Sequence, residues 1–191
     1  GEAAKLIYEF AWNDFCDWYL EFLKLRFNDS MYEKRIISET ILKEILNEIL
    51  IMMNPFMPHV TEELWHALNR YSEDSLLSLQ EWPNTLDTYF DDHLEQTFER
   101  IFEIIRLIRN LRAELGLKPS QEIAVYLVSD NSKLLKFIHH LSKDIKCLTK
   151  SSELHIKDSQ SNKRDFIKSF SGIVGDIEVY LPFEGLINFN S

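Results

Sequence analysis

The stretch Phe15-Cys16-Asp17-Trp18-Tyr19-Leu20-Glu21 lies in a segment whose large apolar side chains recur every three or four residues. That spacing places side chains on one face of a helix, and it predicts a helix over residues 3–27. The predicted inward face consists of Leu6, Phe10, Phe15, Trp18, Phe22 and Leu25. Three tryptophans, Trp12, Trp18 and Trp65, are also expected in the core, because aromatic rings bury a large apolar area.

The same period continues towards the middle of the chain and predicts three more helices. One covers residues 31–53 and ends before Pro55, because proline cannot donate the helical hydrogen bond. The next begins at Thr61, a favourable N-cap, and runs to about Asn69. The last covers about 92–115 and ends at Gly116, where a left-handed C-cap is expected. Together these helices predict an antiparallel helical bundle over residues 1–116.

The period changes after Gly116. Residues Ile123–Val128 form a strand candidate, residues 131–149 predict one or two short helices, and Leu154–Ile156 predicts a second strand. Residues 169–183 alternate around Gly175 and predict either a strand pair or one long strand with a bulge. The predicted fold is therefore mainly α: a helical bundle over 1–116, followed by a small α/β domain over 117–191.

Charge is distributed unevenly along the 191 residues, whose net charge is -10. Residues 1–116 carry 11 Lys+Arg and 22 Asp+Glu, or −11, whereas residues 117–191 carry 10 and 9, or +1. The acidic first part argues against nonspecific binding to a polyanion, so any RNA binding must use a local basic face. A hydrophobic content of 45% excludes a disordered chain.

Residue types that carry catalysis are poorly represented. The sequence contains no glycine-rich phosphate loop, no cysteine pair at metal spacing and no Gly-x-Ser-x-Gly elbow. No catalytic, cofactor-binding or metal-binding residues are therefore predicted. The two cysteines, Cys16 and Cys147, are expected to be buried, reduced thiols, and the absence of a long apolar run makes the cytoplasm the expected compartment.

Three phrases together resemble a known family. They are the Phe15–Glu21 stretch, Asn54–Trp65 (Asn-Pro-Phe-Met-Pro-His-Val-Thr-Glu-Glu-Leu-Trp) and Ile108–Glu114 (Ile-Arg-Asn-Leu-Arg-Ala-Glu). In this order and spacing they resemble the C-terminal tRNA-binding region of the valyl-tRNA synthetases, as does the ending Tyr180–Ile187. The resemblance covers nearly the whole chain, and the Phe15–Glu21 phrase is its most specific part.

The resemblance implies a piece of a class I enzyme that attaches valine to tRNA-Val with ATP. The family's catalytic motifs are absent here, so the chain is expected to be inactive alone and to hold no cofactor; ATP and Mg belong to the catalytic domain. The implied partners are tRNA-Val and the catalytic and editing domains of the same longer chain, with no membrane and no DNA. A further upstream helix and a C-terminal coiled-coil arm are usual in the family.

Six basic residues are candidates for contact with tRNA. Arg106, Arg109 and Arg112 repeat every three residues on one helix, and they could contact phosphates or form internal salt bridges to Glu62, Glu63 or Asp17. Lys24 and Arg26 end the first helix, where cations also stabilise the helix dipole. Lys118 lies at the domain junction and is a weaker candidate. Asp17 near a helix middle is expected to be buried with a cationic partner.

Two rival functions remain open at this point. The chain could be the equivalent domain of an isoleucyl- or leucyl-tRNA synthetase, since these relatives share the helical bundle. It could also be a helical scaffold or adaptor that binds protein and no RNA, which the acidic bundle favours. Phosphate contacts make RNA affinity fall steeply with salt, so salt dependence separates the RNA-binding functions from the adaptor.

Overall fold

The computed structural model describes residues 1–27, 32–69, 76–84, 90–158 and 168–183. The chain divides into two compact units, Gly1–Phe90 and Asp91–Ser191. The first contains helices and the second contains three helices and a four-stranded sheet. The predicted fold class, a helical bundle followed by a small α/β domain, is confirmed. No helix among the described residues is long and apolar enough to cross a membrane.

The first predicted helix forms as one helical run with a change of winding in its middle. Helix α1 covers Glu2–Glu9, a π-helical stretch covers Phe10–Tyr19, and α2 covers Leu20–Phe27. Only part of the predicted inward face is buried: Phe15 and Trp18 are 6% and 4% exposed, whereas Leu6 and Phe10 are 61% and 43% exposed. Long π-helical stretches are rare. The wider winding changes which side chains share a face.

Two further helices complete the first unit. Helix α3 covers Tyr32–Met53 and α4 covers Pro58–Asn69, close to the predicted ranges. The predicted N-cap Thr61 is wrong, because α4 begins at Pro58, where a missing N–H costs nothing. The Thr61 hydroxyl is buried instead, and it accepts from Asn54 Nδ2 at 3.0 Å and donates to the Met57 carbonyl at 2.8 Å.

Helix α5, Asp92–Glu114, is the longest element of the second unit. The Asp91 side chain accepts from the Leu94 N–H at 2.9 Å and caps its first turn. Its buried face contains Ile101, Ile104, Ile105, Ile108, Leu111 and Arg112. The helix ends as predicted at Gly116, whose φ of 64° is the left-handed conformation of a glycine C-cap.

The sheet has the strand order β2-β1-β4-β3, with β1 Ile123–Val128, β2 Ser151–Lys157, β3 Ser169–Val174 and β4 Ile177–Pro182. Strands β1 and β2 are parallel and are joined through α6, Ser132–His140, and α7, Ser142–Thr149. The other pairings are antiparallel. Of the two alternatives for 169–183, the strand pair is present, and its turn uses Gly175 at φ 57°.

The boundary between the two compact units lies between Phe90 and Asp91, which is before the predicted domain boundary near residue 116. Helix α5 belongs with the sheet, because its Leu107 side chain packs against Gly172 of β3 and its Arg100 pairs with Asp176 in the β3–β4 turn. A Cβ at Gly172 would lie 2.6 Å from Leu107 Cδ1, so the close approach requires glycine. Whether residues 1–116 also form a domain in the evolutionary sense stays a prediction.

Three expectations about individual side chains are corrected. Trp12 is 58% exposed, whereas Trp18 and Trp65 are buried as expected. Asp17 lies on the exposed side of its helix rather than in the core. Cys16 and Cys147 are both exposed free thiols, because each lies on a helix face that points to solvent. Residues 184–187 of the family-like ending lie outside the described residues.

Candidate nucleic-acid interface

The six candidate residues lie in two groups, one in each compact unit. Lys24 and Arg26 occupy the last turn of α2, as the sequence predicts. The Lys24 side chain is 66% exposed and pairs with Glu21 on the preceding turn. Arg26 is half-buried. Exposed ion pairs of this kind contribute little to stability, so Lys24 can exchange Glu21 for another anion at low cost.

The second group includes three arginines of helix α5, and these side chains differ in their exposure to solvent. Each step of three residues rotates a side chain by about −60° on a helix of 3.6 residues per turn. Arg106 and Arg109 therefore lie on the exposed side, whereas Arg112, two steps further, reaches the packed side and is 7% exposed. Neighbouring arginines in this series are rotated by only about 60° and can share the exposed side. The first and the third are rotated by twice that angle and face different surroundings.

Arg112 binds backbone inside the second unit. Its Nη1 donates to the Lys150 carbonyl at 3.0 Å and its Nη2 donates to the Gln121 carbonyl at 2.7 Å. Burial lowers the pKa of Arg112, and the nearby Glu122 carboxylate partly offsets this. The guanidinium thus joins the end of α5 to the start of β1 and to the left-handed Lys150 that follows α7.

Arg109 combines an internal bond with exposure. Its Nε donates to the Leu148 carbonyl of α7 at 3.1 Å, while the side chain lies on the exposed surface of α5. This hydrogen bond holds the guanidinium in place, and its charge can attract a phosphate to the surface of α5. The geometry is consistent with Arg109 as an anchored cation at the surface.

Lys118 lies in the turn that joins α5 to β1. Its backbone N–H donates to Gln121 Oε1 at 2.8 Å, which fixes the turn, and its side chain is exposed. Lys118, Arg106 and Arg109 are the exposed candidates of the second unit. Glu62 Oε1 accepts from the Leu77 N–H at 2.8 Å within the first unit, and the salt bridges of the α5 arginines to Glu62 stay a prediction.

A cleft of about 340 Å³ in the second unit offers a weaker site. Its lining includes Asp91, His93, Arg100, Asn131 and Lys133, a mixture of charges. Arg100 is already paired with Asp176. This ion pair weakens the attraction of Arg100 for a bound anion. Within the described parts of the chain, no three His, Cys, Asp or Glu side chains are arranged to hold a metal ion.

Exposed aromatic side chains are the feature that sequence reasoning missed. Tyr8 and Trp12 are 55% and 58% exposed, and their rings stack with centroids 6.0 Å apart. The spacing contained a signal: residues 12 and 18 lie about 120° apart on an α-helix, so both cannot occupy the centre of one buried stripe. Exposed aromatic rings of this kind are surfaces on which unpaired RNA bases can stack.

Comparisons with known proteins show which family the chain resembles. The profile of the family described as "Anticodon-binding domain of tRNA ligase" matches residues 1–127. A valine–tRNA ligase of Prochlorococcus marinus subsp. pastoris is 56% identical over 192 residues, which cover 100% of this chain and 21% of that protein. One from Synechocystis sp. is 35% identical and one from Oceanobacillus iheyensis is 31% identical, with the same coverage. The chain spans about a fifth of the length of these relatives.

Proposed function

Because the chain belongs to the family of anticodon-binding domains of tRNA ligases, we propose that it is the tRNA-docking region of a valine–tRNA ligase. The observation that carries the proposal is similarity over the whole chain to valine–tRNA ligases, at up to 56% identity among the relatives named above. In this proposal the chain binds tRNA-Val near its anticodon. Chemistry takes place elsewhere in the longer protein.

The mechanism of this region is positioning. By holding the anticodon end, the bound chain brings the acceptor end of tRNA-Val to a distant catalytic domain, which joins valine to it with ATP and Mg. Precise placement of reactants can lower an activation barrier without any contact with the reacting atoms. The cytoplasm is the compartment where this reaction is expected.

Five cations are the best candidates for RNA contact: Lys24, Arg26, Arg106, Arg109 and Lys118. Each lies on an exposed or half-exposed surface, at a helix end, along α5 or in the turn after it. Arg112 is a weaker candidate than the sequence suggests, because two of its nitrogens are bound to backbone carbonyls. With a first part of charge −11, local cations must overcome a repulsive background.

The rest of the longer protein is the second proposed partner. The first unit exposes large apolar side chains that include Leu6, Trp12, Ile37 and Leu64, each more than half exposed. Exposed apolar side chains in such number favour a surface that other protein covers. We propose that catalytic and editing domains of the same polypeptide supply that cover.

Two alternatives keep some support. An isoleucyl or leucyl relative would share the fold, but the relatives named above carry the valine activity in their names. A protein-binding adaptor would explain the exposed apolar side chains of the first unit without any RNA. It would not explain the match to an anticodon-binding family over residues 1–127.

The test is binding of the 191-residue chain to tRNA-Val and to tRNA-Val with a swapped anticodon, each at two salt concentrations. We expect tighter binding to the native anticodon and an affinity that falls with salt, because phosphate contacts release counterions. Equal, salt-sensitive affinity would restrict the chain to backbone docking. No binding at low salt would overturn the proposal for this chain by itself and favour the adaptor.

A further inference from the structure

The sheet of the second unit has two chemically different faces. On one face, Val125, Leu127 and Val179 are completely buried. Helix α5 packs on this face through Leu107 at Gly172, and α5 in turn contacts α6 through Phe98 and Phe137. Helix α7 also contacts α5, since Arg109 donates to the Leu148 carbonyl, so the three helices of the unit gather on this face. Among the described residues, no helix of the unit packs on the opposite face.

The opposite face carries a row of rings across three neighbouring strands. Tyr126 of β1 is in register with His155 of β2 on one side and with Tyr180 of β4 on the other. The Tyr126 and His155 rings stack with centroids 4.5 Å apart and an angle of 23° between their planes. Side chains directly opposite in a sheet are close enough for such contact, so the pairing register produces the row.

A cation accompanies the ring pair. Lys157 lies two residues beyond His155 on the same side of β2, and its Nζ is 5.3 Å from the centre of the Tyr126 ring. The His155 side chain is 38% exposed and its Nε2 lies 2.8 Å from Glu153 Oε2. A ring stack with a cation at its margin presents both a surface for a base and a charge for a phosphate.

The surroundings of the row differ from a hydrophobic core layer. Glu153, Ser171 and Glu178 lie at neighbouring positions of the same face, and the Tyr180 hydroxyl donates to Glu178. Ile173, on the edge strand of this face, is 71% exposed. Polar neighbours and exposed edges are typical of a surface that contacts a hydrated partner. An apolar core layer would instead surround the rings with aliphatic side chains.

We propose that this face is a second RNA-contact surface, on which the Tyr126–His155 stack receives an unpaired base of the bound tRNA and Lys157 meets an adjacent phosphate. Four-stranded sheets that stack bases on aromatic rings are an established way to bind single-stranded RNA. The residues after 116 carry a net charge of +1 against −11 before them, so this half of the chain repels RNA less. The inference rests on the proposed tRNA-docking function.

The charges on β2 orient the bound RNA in this proposal. Glu153 lies on the other side of His155 from Lys157 along β2 and disfavours phosphate there, so the RNA backbone is directed to the side of Lys157. Stacking tolerates any base, because every base has a π-face. The surface therefore adds affinity without reading the anticodon, and sequence recognition remains with the helical region.

The test compares three variants of the 191-residue chain. Tyr126→Leu removes a stacking ring, His155→Gln removes its partner with less risk to the fold, and Lys157→Gln removes the cation. Ile173→Thr, on the same face but outside the stack, is the matched control. Circular dichroism melts establish that each variant folds. The direct probe is a short oligouridylate, titrated at low salt while the ring resonances of Tyr126 and His155 are recorded by NMR.

We expect the oligouridylate to shift both ring resonances, and we expect Tyr126→Leu and His155→Gln to weaken tRNA-Val binding about 10-fold, the loss of one stacked base. Lys157→Gln should lower the salt slope by about 1. If the oligouridylate left the ring resonances unchanged and the folded variants bound tRNA-Val with unchanged affinity, the inference would be overturned. Wild-type tRNA binding, and so the proposed function, would remain intact. If the wild-type chain did not bind tRNA-Val, the proposed function would be overturned instead. The oligouridylate titration would still test whether the sheet binds RNA.

Discussion

Among its described residues, the chain buries seven large apolar side chains before residue 91 and seventeen after it. The exposed large apolar side chains are distributed in the opposite way, fifteen before residue 91 and two after. The two units are similar in length, so the contrast lies in how each uses its apolar residues. The second unit closes a core of its own, whereas the first leaves much apolar surface for another partner to cover.

The contrast also separates two uses of arginine. In the second unit both terminal nitrogens of Arg112 donate to backbone carbonyl groups, those of Lys150 and Gln121. In the first unit Arg26 lies near a helix end, where a cation stabilises the dipole and remains near solvent. A basic residue of this chain is therefore a better candidate for RNA contact when its side chain is exposed than when it is buried and bound to backbone carbonyl groups.

The largest expected effect is a core truncation in the second unit. Ile105 is completely buried, so Ile105→Ala should lower the free energy of unfolding of that unit by about 3 kcal/mol. Ile37 of the first unit is 59% exposed, and Ile37→Ala should cost about 0.5 kcal/mol or less. Urea unfolding followed by circular dichroism measures both. Equal losses would remove the distinction between the units.

Arg112→Met should come next, at about 2 kcal/mol, because it removes two hydrogen bonds that the buried guanidinium donates to backbone carbonyl groups. Arg106→Met, at an exposed position six residues earlier on the same helix, should cost about 0.5 kcal/mol or less. Thermal unfolding and tRNA-Val affinity are measured for both. A stable Arg112→Met with weakened affinity would support the sequence-based prediction that Arg112 contacts RNA.

Two glycines test how tightly the second unit is packed. Gly175 and Gly116 both have positive φ, at 57° and 64°, so alanine should cost about 1 kcal/mol at each through backbone strain. At Gly175 a Cβ would also lie 2.7 Å from Arg100 Nη1, whereas nothing lies within 4 Å at Gly116. Gly175→Ala should therefore be the more destabilising in thermal melts. The reverse order would contradict the close approach of Arg100.

The smallest expected effect is a dependence on pH in the acid range. Burial alone would raise the pKa of Asp176, but hydrogen bonds from Asn131 and its own backbone and the charge of Arg100 lower the pKa overall. The folded pKa therefore lies below the unfolded one. The stabilisation is present above the unfolded pKa and is lost as pH falls through the folded pKa. Unfolding curves of Asp176→Asn should lose this component, and identical pH dependence in both proteins would contradict it.

Much of the fold could be predicted because helix and strand periods are local. The stripe of Ile101, Ile105, Ile108 and Leu111 in α5, the glycine at its end and the strand at residues 123–128 all follow from spacing of a few residues. The partners of those faces could not be predicted, because they depend on distant parts of the chain. Grouping α5 with the sheet required contacts with β3 and β4.

The sequence predicts which basic residues are candidates for RNA contact, but it predicts only partly which of them are exposed. The spacing of the α5 arginines placed them on one helix, but it did not reveal that Arg112 turns inward to residues 121 and 150. Trp12 was assigned to the core from its size alone, although its distance from Trp18 along the helix argued against a shared face. The row at Tyr126 depends on strand register, which separated segments determine together.

Two claims are central: the second unit closes a core of its own whereas the first exposes apolar surface, and, as proposed above, the chain binds tRNA-Val. Hydrogen exchange of the chain with and without tRNA-Val, read by mass spectrometry, tests them most directly. We predict slow exchange in α5 and the sheet in both states, and faster exchange in α1 to α4 that slows around Lys24 and Arg26 when tRNA binds. Equal protection of both units, with no change on adding tRNA, would contradict the account.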